Sequence, residues 1–138
     1  MAKVLVVDDS MTVLLSLKRL LEENGHEVIP AQDGLTTLST VVSNTPDLIL
    51  LDIGLPGISG LDLCVAIKQM PQHRDIPIII ITASRRQFDH LLAYRMGVEA
   101  YLQKPVDPAQ VLELVSKYAA TGKIEAPSTL SLGTATAT

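Results

Sequence analysis

Four consecutive apolar residues, Leu48 to Leu51, run straight into an aspartate, Asp52, inside the stretch PDLILLDIGLPGISG. Pro46 and Pro56 bracket the run too closely for a helix, and the run lacks the polar alternation of a half-exposed strand. It therefore reads as a strand buried on both faces, which requires a sheet covered by helices on both sides. Asp52 then falls at the carboxyl end of that strand. In open α/β sheets, that edge forms the crevice where ligands bind.

The rest of the chain alternates in the same way. Lys3 to Val7 reads as a strand ending in Asp8 and Asp9, and Ser10 as the N-cap of a helix carrying Leu14, Leu17, Leu20 and Leu21 until Asn24 and Gly25 stop it. Residues 26–31 form a second strand, Asp33 and Gly34 a turn, and residues 35–43 a short helix. After the central strand, Gly54, Pro56, Gly57 and Gly60 mark a loop, followed by a helix over residues 61–70. A strand over residues 76–82 tolerates Pro77 near its start. Residues 85–96 form a fourth helix closed by Gly97, residues 99–103 a fifth strand, and residues 108–118 a last helix capped by Asp107.

Five strands and five helices in strict alternation predict a doubly wound α/β fold. Its parallel sheet has right-handed crossovers and helices on both faces. The domain is expected to occupy residues 1–120. From Thr121 the composition turns to Ala, Ser, Thr and Gly, with no charge after Glu125, so residues 121–138 read as a flexible tail or linker remnant.

Composition removes several function classes. Fifteen acidic against eleven basic residues give a net charge of -4, which offers no basic footprint for nucleic acid or anionic lipid. A single cysteine, Cys64, excludes an intramolecular disulfide framework, and no Cys/His cluster has zinc spacing. The amino-terminal MAKVLVVDD is no signal peptide and no apolar run approaches a membrane span, so a reducing, cytoplasmic setting is expected.

A parallel sheet brings the polar residues at its strand ends to one edge: Asp8 and Asp9, Asp52, Thr82 and Lys104. Carboxylates about 4 Å apart repel by roughly 4 kcal/mol per pair at an effective dielectric near 20, so a cation or proton must relieve them. All-oxygen ligation suits magnesium, with manganese as a substitute. A metal held by acids beside an ammonium and a hydroxyl makes a phosphoryl site, where one carboxylate can act as nucleophile and form an aspartyl phosphate. Each residue alone has a plainer reading: a helix cap for the acid pair, a loop cap for Asp52, a β-former for Thr82, a solvated charge for Lys104. Their joint spacing carries the assignment.

The segments VVDDS, LLDIGLPGISG, ITAS and YLQKPVD resemble response-regulator receiver domains of two-component signalling, and the resemblance spans roughly residues 3–120. It implies a flavodoxin/CheY-like sheet of order 2-1-3-4-5. It also implies that Asp52 is the phosphoacceptor, and that Asp9, Asp52 and the Gly54 backbone carbonyl ligate magnesium while Asp8 binds through water. Lys104, Thr82 and the Ala83 backbone amide would contact the phosphoryl group. Thr82 and Tyr101 would form the switch, and the peptide before Pro105 is a cis candidate. Gly54 and Ser84 occupy positions where longer side chains often affect aspartyl-phosphate lifetime.

The implied partners are a histidine kinase or histidine phosphotransfer protein and a downstream protein target. The target would dock through the fourth helix, fifth strand and fifth helix, on a monomer or a phosphorylation-dependent dimer. The chain would be a switch rather than an enzyme, beyond self-phosphorylation and autodephosphorylation. A stand-alone regulator without a DNA-binding output domain is expected, the alternative being a receiver excised from a larger regulator or hybrid kinase.

Other classes fit less well. A haloacid-dehalogenase-type phosphatase places a second acid where this chain has Gly54, and acids after the first strand would repel a flavin phosphate. A constitutive scaffold of the same fold would lack part of the site. Tyr101 keeps a second reading as half-buried packing, and Met11 with Leu15 reads equally as a partner contact or as ordinary exposed apolar surface. Cys64 reads as core, Arg85 and Arg86 as a helix start or part of the output face, and His26, His73 and His90 receive no chemistry.

Overall fold

The computed structural model describes residues 2–124, with side chains through residue 119. Five strands, β1 (Lys3–Val7), β2 (Glu27–Ala31), β3 (Leu48–Leu51), β4 (Ile78–Thr82) and β5 (Ala100–Gln103), alternate with α1 (Met11–Glu22), α2 (Gly34–Asn44), α3 (Gly60–Lys68), α4 (Gln87–Arg95) and α5 (Pro108–Ile124). All strand pairings are parallel and the sheet order is β2-β1-β3-β4-β5. The order reverses between β1 and β3, so their carboxyl ends flank a crevice.

Strand alternation divides the interior into two layers. Val4, Val6, Leu48, Leu50, Ile79 and Ile81 face α1 and α5 and meet Leu14, Leu17, Leu21, Val111 and Val115. Leu5, Val7, Ile49, Leu51, Ile78 and Ile80 face α2, α3 and α4 and meet Val41, Leu63, Cys64, Ile67 and Ala93. Every residue of β3 and β4 is buried, as their unbroken apolar sequences require. Each such side chain contributes about 1.5–3 kcal/mol on burial, so the strands that present the site are the most firmly held.

Local chemistry explains the element boundaries. Ser10 caps α1 by accepting from the Val13 amide. Asp33, expected in a turn, caps α2 instead: its carboxylate accepts from the Thr36 amide at 2.8 Å, and this local bond starts the helix at Gly34. Ser59 caps α3 in the same way.

β4 begins at Ile78 rather than at residue 76. The Ile78 amide donates to the Glu99 carboxylate at 2.8 Å, which also leaves Glu99 just outside β5. α4 begins two residues later than its sequence suggests, because the Arg86 amide donates to the Ser84 hydroxyl and closes a turn before the helix. α5 continues through Ile124, beyond the expected end at residue 118, and residues 125–138 of the expected tail lie outside the described residues.

Gly60 fixes the approach of α3 to the central strand. A Cβ at this position would lie 2.5 Å from Ile53 Cα and nearer still to the Asp52 carbonyl oxygen. Only glycine lets the helix start against that backbone, and the Gly60 amide donates to the Ile53 carbonyl there.

Candidate functional site

Asp8 and Asp52 stand side by side at the carboxyl ends of β1 and β3. Backbone hydrogen bonds extend the sheet to them: the Asp8 amide donates to the Ala31 carbonyl at 3.1 Å and the Asp52 amide to the Val7 carbonyl at 3.0 Å. Both are buried, whereas Asp9 is exposed at the mouth of the crevice. One carboxylate oxygen from each of the three acids lies within 4.8 Å of the others.

One ammonium bridges the buried pair. Lys104 Nζ donates to Asp8 Oδ2 at 2.6 Å and to Asp52 Oδ2 at 3.0 Å. It reaches them from the end of β5 because the Lys104 amide bonds the Thr82 carbonyl at 2.7 Å, which ties the β5 end to β4. Burial of the ammonium favours its neutral form, but the hydrogen bonds and negative charges of Asp8 and Asp52 outweigh burial and raise the lysine pKa above its ordinary value.

The remaining carboxylate oxygens are partly committed. Asp8 Oδ1 accepts from the Ser10 amide at 2.9 Å, and Asp52 Oδ1 accepts from the Gly54 amide at 2.8 Å. A Cβ on Gly54 would meet only Asp52 Oδ1, at an ordinary 3.5 Å, so space beside the carboxylate stays open.

Three acids against one lysine leave an excess of negative charge. Their hard oxygen donors match a small divalent cation, magnesium or manganese, better than zinc. The donor set thus fits such an ion, with Asp8, Asp9 and Asp52 as the residues able to hold it.

Thr82 ends β4 almost fully buried, and its hydroxyl oxygen accepts from the Ser84 amide at 3.2 Å. Ala83 is exposed between them. The Ser84 hydroxyl donates to Asp89 Oδ2 at 2.7 Å and the Gln103 side chain donates to the Ser84 carbonyl, so the β4–α4 loop is tied to both α4 and β5. The Lys104–Pro105 peptide is cis.

Tyr101 lies beside Ile80 on β5 with its ring half-buried, and its hydroxyl is enclosed without a hydrogen-bond partner among the described residues. Burial raises the phenol pKa; the nearby Ser84 side chain opposes the shift, and the charges of Asp89 and Asp52 add to it. The Ser84 hydroxyl gives its proton to Asp89, so toward the phenol it offers only an acceptor oxygen.

The structure thus brings Asp8, Asp9, Asp52 and Lys104 together and ties Thr82 and Gly54 to them through backbone bonds. Sequence reasoning placed Lys104 at the same sheet edge as the acids but missed its short bond to Asp8, 96 residues away. It also missed His90, whose ring stacks on Tyr101 with centroids 4.5 Å apart and planes 12° apart. Neither contact has a periodic signature. His26 accepts from the Ala2 amide, and His73 is buried in the loop after α3.

Two apolar surfaces flank the site. Met11 and Leu15 on α1 are exposed, and on α4 so are Phe88, Leu91 and Tyr94. Among the described residues, no helix is long and apolar enough to cross a membrane.

Comparison with known proteins agrees with this geometry. The family described as "Response regulator receiver domain" matches residues 4–116. The chain is 36% identical over 126 residues to the alkaline phosphatase synthesis transcriptional regulatory protein PhoP of Bacillus subtilis, covering 91% of this chain but 52% of that protein. It is 34% identical to Protein PilH of Pseudomonas aeruginosa, covering 84% of this chain and 96% of PilH. A crystal structure of a CheY-like response regulator receiver domain protein from Methanospirillum hungatei superposes with a TM-score of 0.85 at 27% identity, covering 91% of this chain and 99% of that one. The chain therefore spans about half of one relative and nearly all of another.

Proposed function

The chain belongs to the response-regulator receiver family, and we propose that it works as a phosphorylation-controlled switch in which Asp52 accepts a phosphoryl group from a histidine kinase or histidine phosphotransfer protein. The observation that carries this reading is the Lys104 ammonium shared between the buried carboxylates of Asp8 and Asp52. Receiver domains are signalling switches rather than enzymes, and the proposed chemistry is limited to accepting the group and losing it to water.

Asp52 is the nucleophile. One of its oxygens attacks phosphorus, a P–O bond forms as the P–N bond to the donor imidazole breaks, and the imidazole leaves with the bonding pair. The Gly54 amide on Asp52 Oδ1 steadies the carboxylate for this attack. Lys104, 3.0 Å from Asp52 Oδ2, supplies positive charge for a phosphoryl oxygen at that place.

Asp9, Asp52 and the Gly54 carbonyl would ligate magnesium, with Asp8 acting through water. The ion would neutralise phosphoryl oxygens during transfer. Thr82 then exchanges its bond with the Ser84 amide for the phosphoryl group, which the Ala83 amide also contacts. This exchange rearranges the β4–α4 loop and changes the surface formed by α4, β5 and α5, where Phe88, Leu91 and Tyr94 offer an apolar patch to a protein target.

The test is intact mass after incubation with acetyl phosphate and magnesium, beside Asp52→Asn. One phosphoryl adduct, absent from the variant and absent without magnesium, supports the reading. An equal adduct on Asp52→Asn sinks it.

A further inference from the structure

The inward position of Tyr101 requires an explanation that its hydroxyl cannot supply. That hydroxyl is enclosed and has no hydrogen-bond partner among the described residues, and its polar neighbour Ser84 donates to Asp89. A buried hydroxyl without a partner opposes the conformation that buries it. Something else must hold the ring.

His90 is the group that meets its face. The two rings are nearly parallel, 12° apart with centroids at 4.5 Å, an arrangement favoured for flat π systems in contact. One helical turn further along α4, Tyr94 also packs against His90, with centroids 5.0 Å apart and planes at 34°. His90 and Tyr94 are otherwise exposed, so three rings lead from the outer surface of α4 to the loop that holds Thr82.

We infer that His90 is a positioning residue for Tyr101: its imidazole holds the tyrosine ring inward against the Ser84 loop, and this contact sets how readily the Asp52 site accepts a phosphoryl-like ligand. The second half of the inference rests on the proposed function. In the proposed switch, an inward Tyr101 accompanies Thr82 engaged with a phosphoryl group. Whatever favours the first therefore tightens binding of the second by up to the same factor. His90 touches neither the ligand nor Asp52. It acts by leaving the outward tyrosine without a comparable contact.

Two readouts test this on the whole chain. Fluorotyrosine incorporated at the three tyrosines, with the Tyr101 signal assigned through Tyr101→Phe, reports the position of the ring by fluorine NMR. Beryllofluoride with magnesium reports affinity for a phosphoryl mimic. His90→Ala is expected to shift the Tyr101 signal and to weaken beryllofluoride about 2- to 10-fold, the range one aromatic contact commands. His90→Phe keeps a ring of similar size on the tyrosine and is expected to restore both.

If His90→Ala leaves the Tyr101 signal unmoved, or His90→Phe behaves like His90→Ala, the inference is wrong. If the wild-type chain does not bind beryllofluoride, the proposed function fails, and the fluorine signal alone decides whether His90 positions Tyr101.

Discussion

Asp52→Asn should make the metal-free protein more stable, although it removes half of a buried ion pair. The substitution keeps the side-chain shape and the oxygen that accepts from the Gly54 amide. In the wild type, Asp8 and Asp9 hold carboxylate oxygens within 4.8 Å of Asp52, a separation at which two charges repel by about 3.5 kcal/mol at an effective dielectric near 20. Lys104 at 3.0 Å attracts Asp52 by about 5.5 kcal/mol on the same scale. The two repulsions exceed the attraction by about 1.5 kcal/mol.

Asp9 is exposed, so water weakens its share, while the burial of Asp52 at 7% exposure adds a desolvation cost that asparagine avoids. Lys104 retains Asp8 at 2.6 Å in the variant. The expected result in EDTA is a gain of about 1 kcal/mol, read by urea denaturation, or about 3–5 °C in the thermal midpoint. Magnesium should reverse the order if the proposed site holds it, since binding would then stabilise the wild type and not the variant. A variant less stable than the wild type in EDTA would refute the claim that repulsion dominates this site.

Further expectations follow from individual contacts. Gly60→Ala drives a Cβ into the Asp52 and Ile53 backbone, which cannot rotate away. A loss of about 3 kcal/mol or more in urea denaturation is expected, and a loss under 1 kcal/mol would show that the helix start can yield. The Cys64 thiol is fully buried and its pKa is pushed up to about 12, first by burial, so a thiol reagent should modify it only as fast as the native chain opens. Labelling faster than global unfolding would contradict this.

Lys104 has a raised folded pKa, so its ion pairs should contribute fully below the ordinary lysine value of 10.5 and fade as the pH climbs through the higher folded value. The stability difference between wild type and Lys104→Met should therefore hold constant across neutral pH and shrink only in strong alkali. A difference that collapses near neutrality would rule out this assignment.

Much of this architecture can be read from residue order. The unbroken apolar runs of β3 and β4 report burial on both faces, and Asp8, Asp52, Thr82 and Lys104 are legible because each ends a strand. What escaped was decided by side chains meeting backbone or each other. Asp33 looks like a turn beside Gly34, and only its bond to the Thr36 amide makes it a cap. Arg85 and Arg86 suit a helix by propensity, yet the Ser84 hydroxyl holds the Arg86 amide in a turn. His90 gave no signal at all, because its stacking partner lies on a different element and the contact depends on how α4 sits against β5.

In the proposed switch, Asp52 and no other residue carries the phosphoryl group. Borohydride reduction of the protein after treatment with acetyl phosphate and magnesium, followed by peptide mass mapping, locates the acyl phosphate directly. Conversion of the aspartate to homoserine at position 52 alone is expected. Conversion at Asp8 or Asp9 in its place, or an adduct that resists reduction, would contradict it.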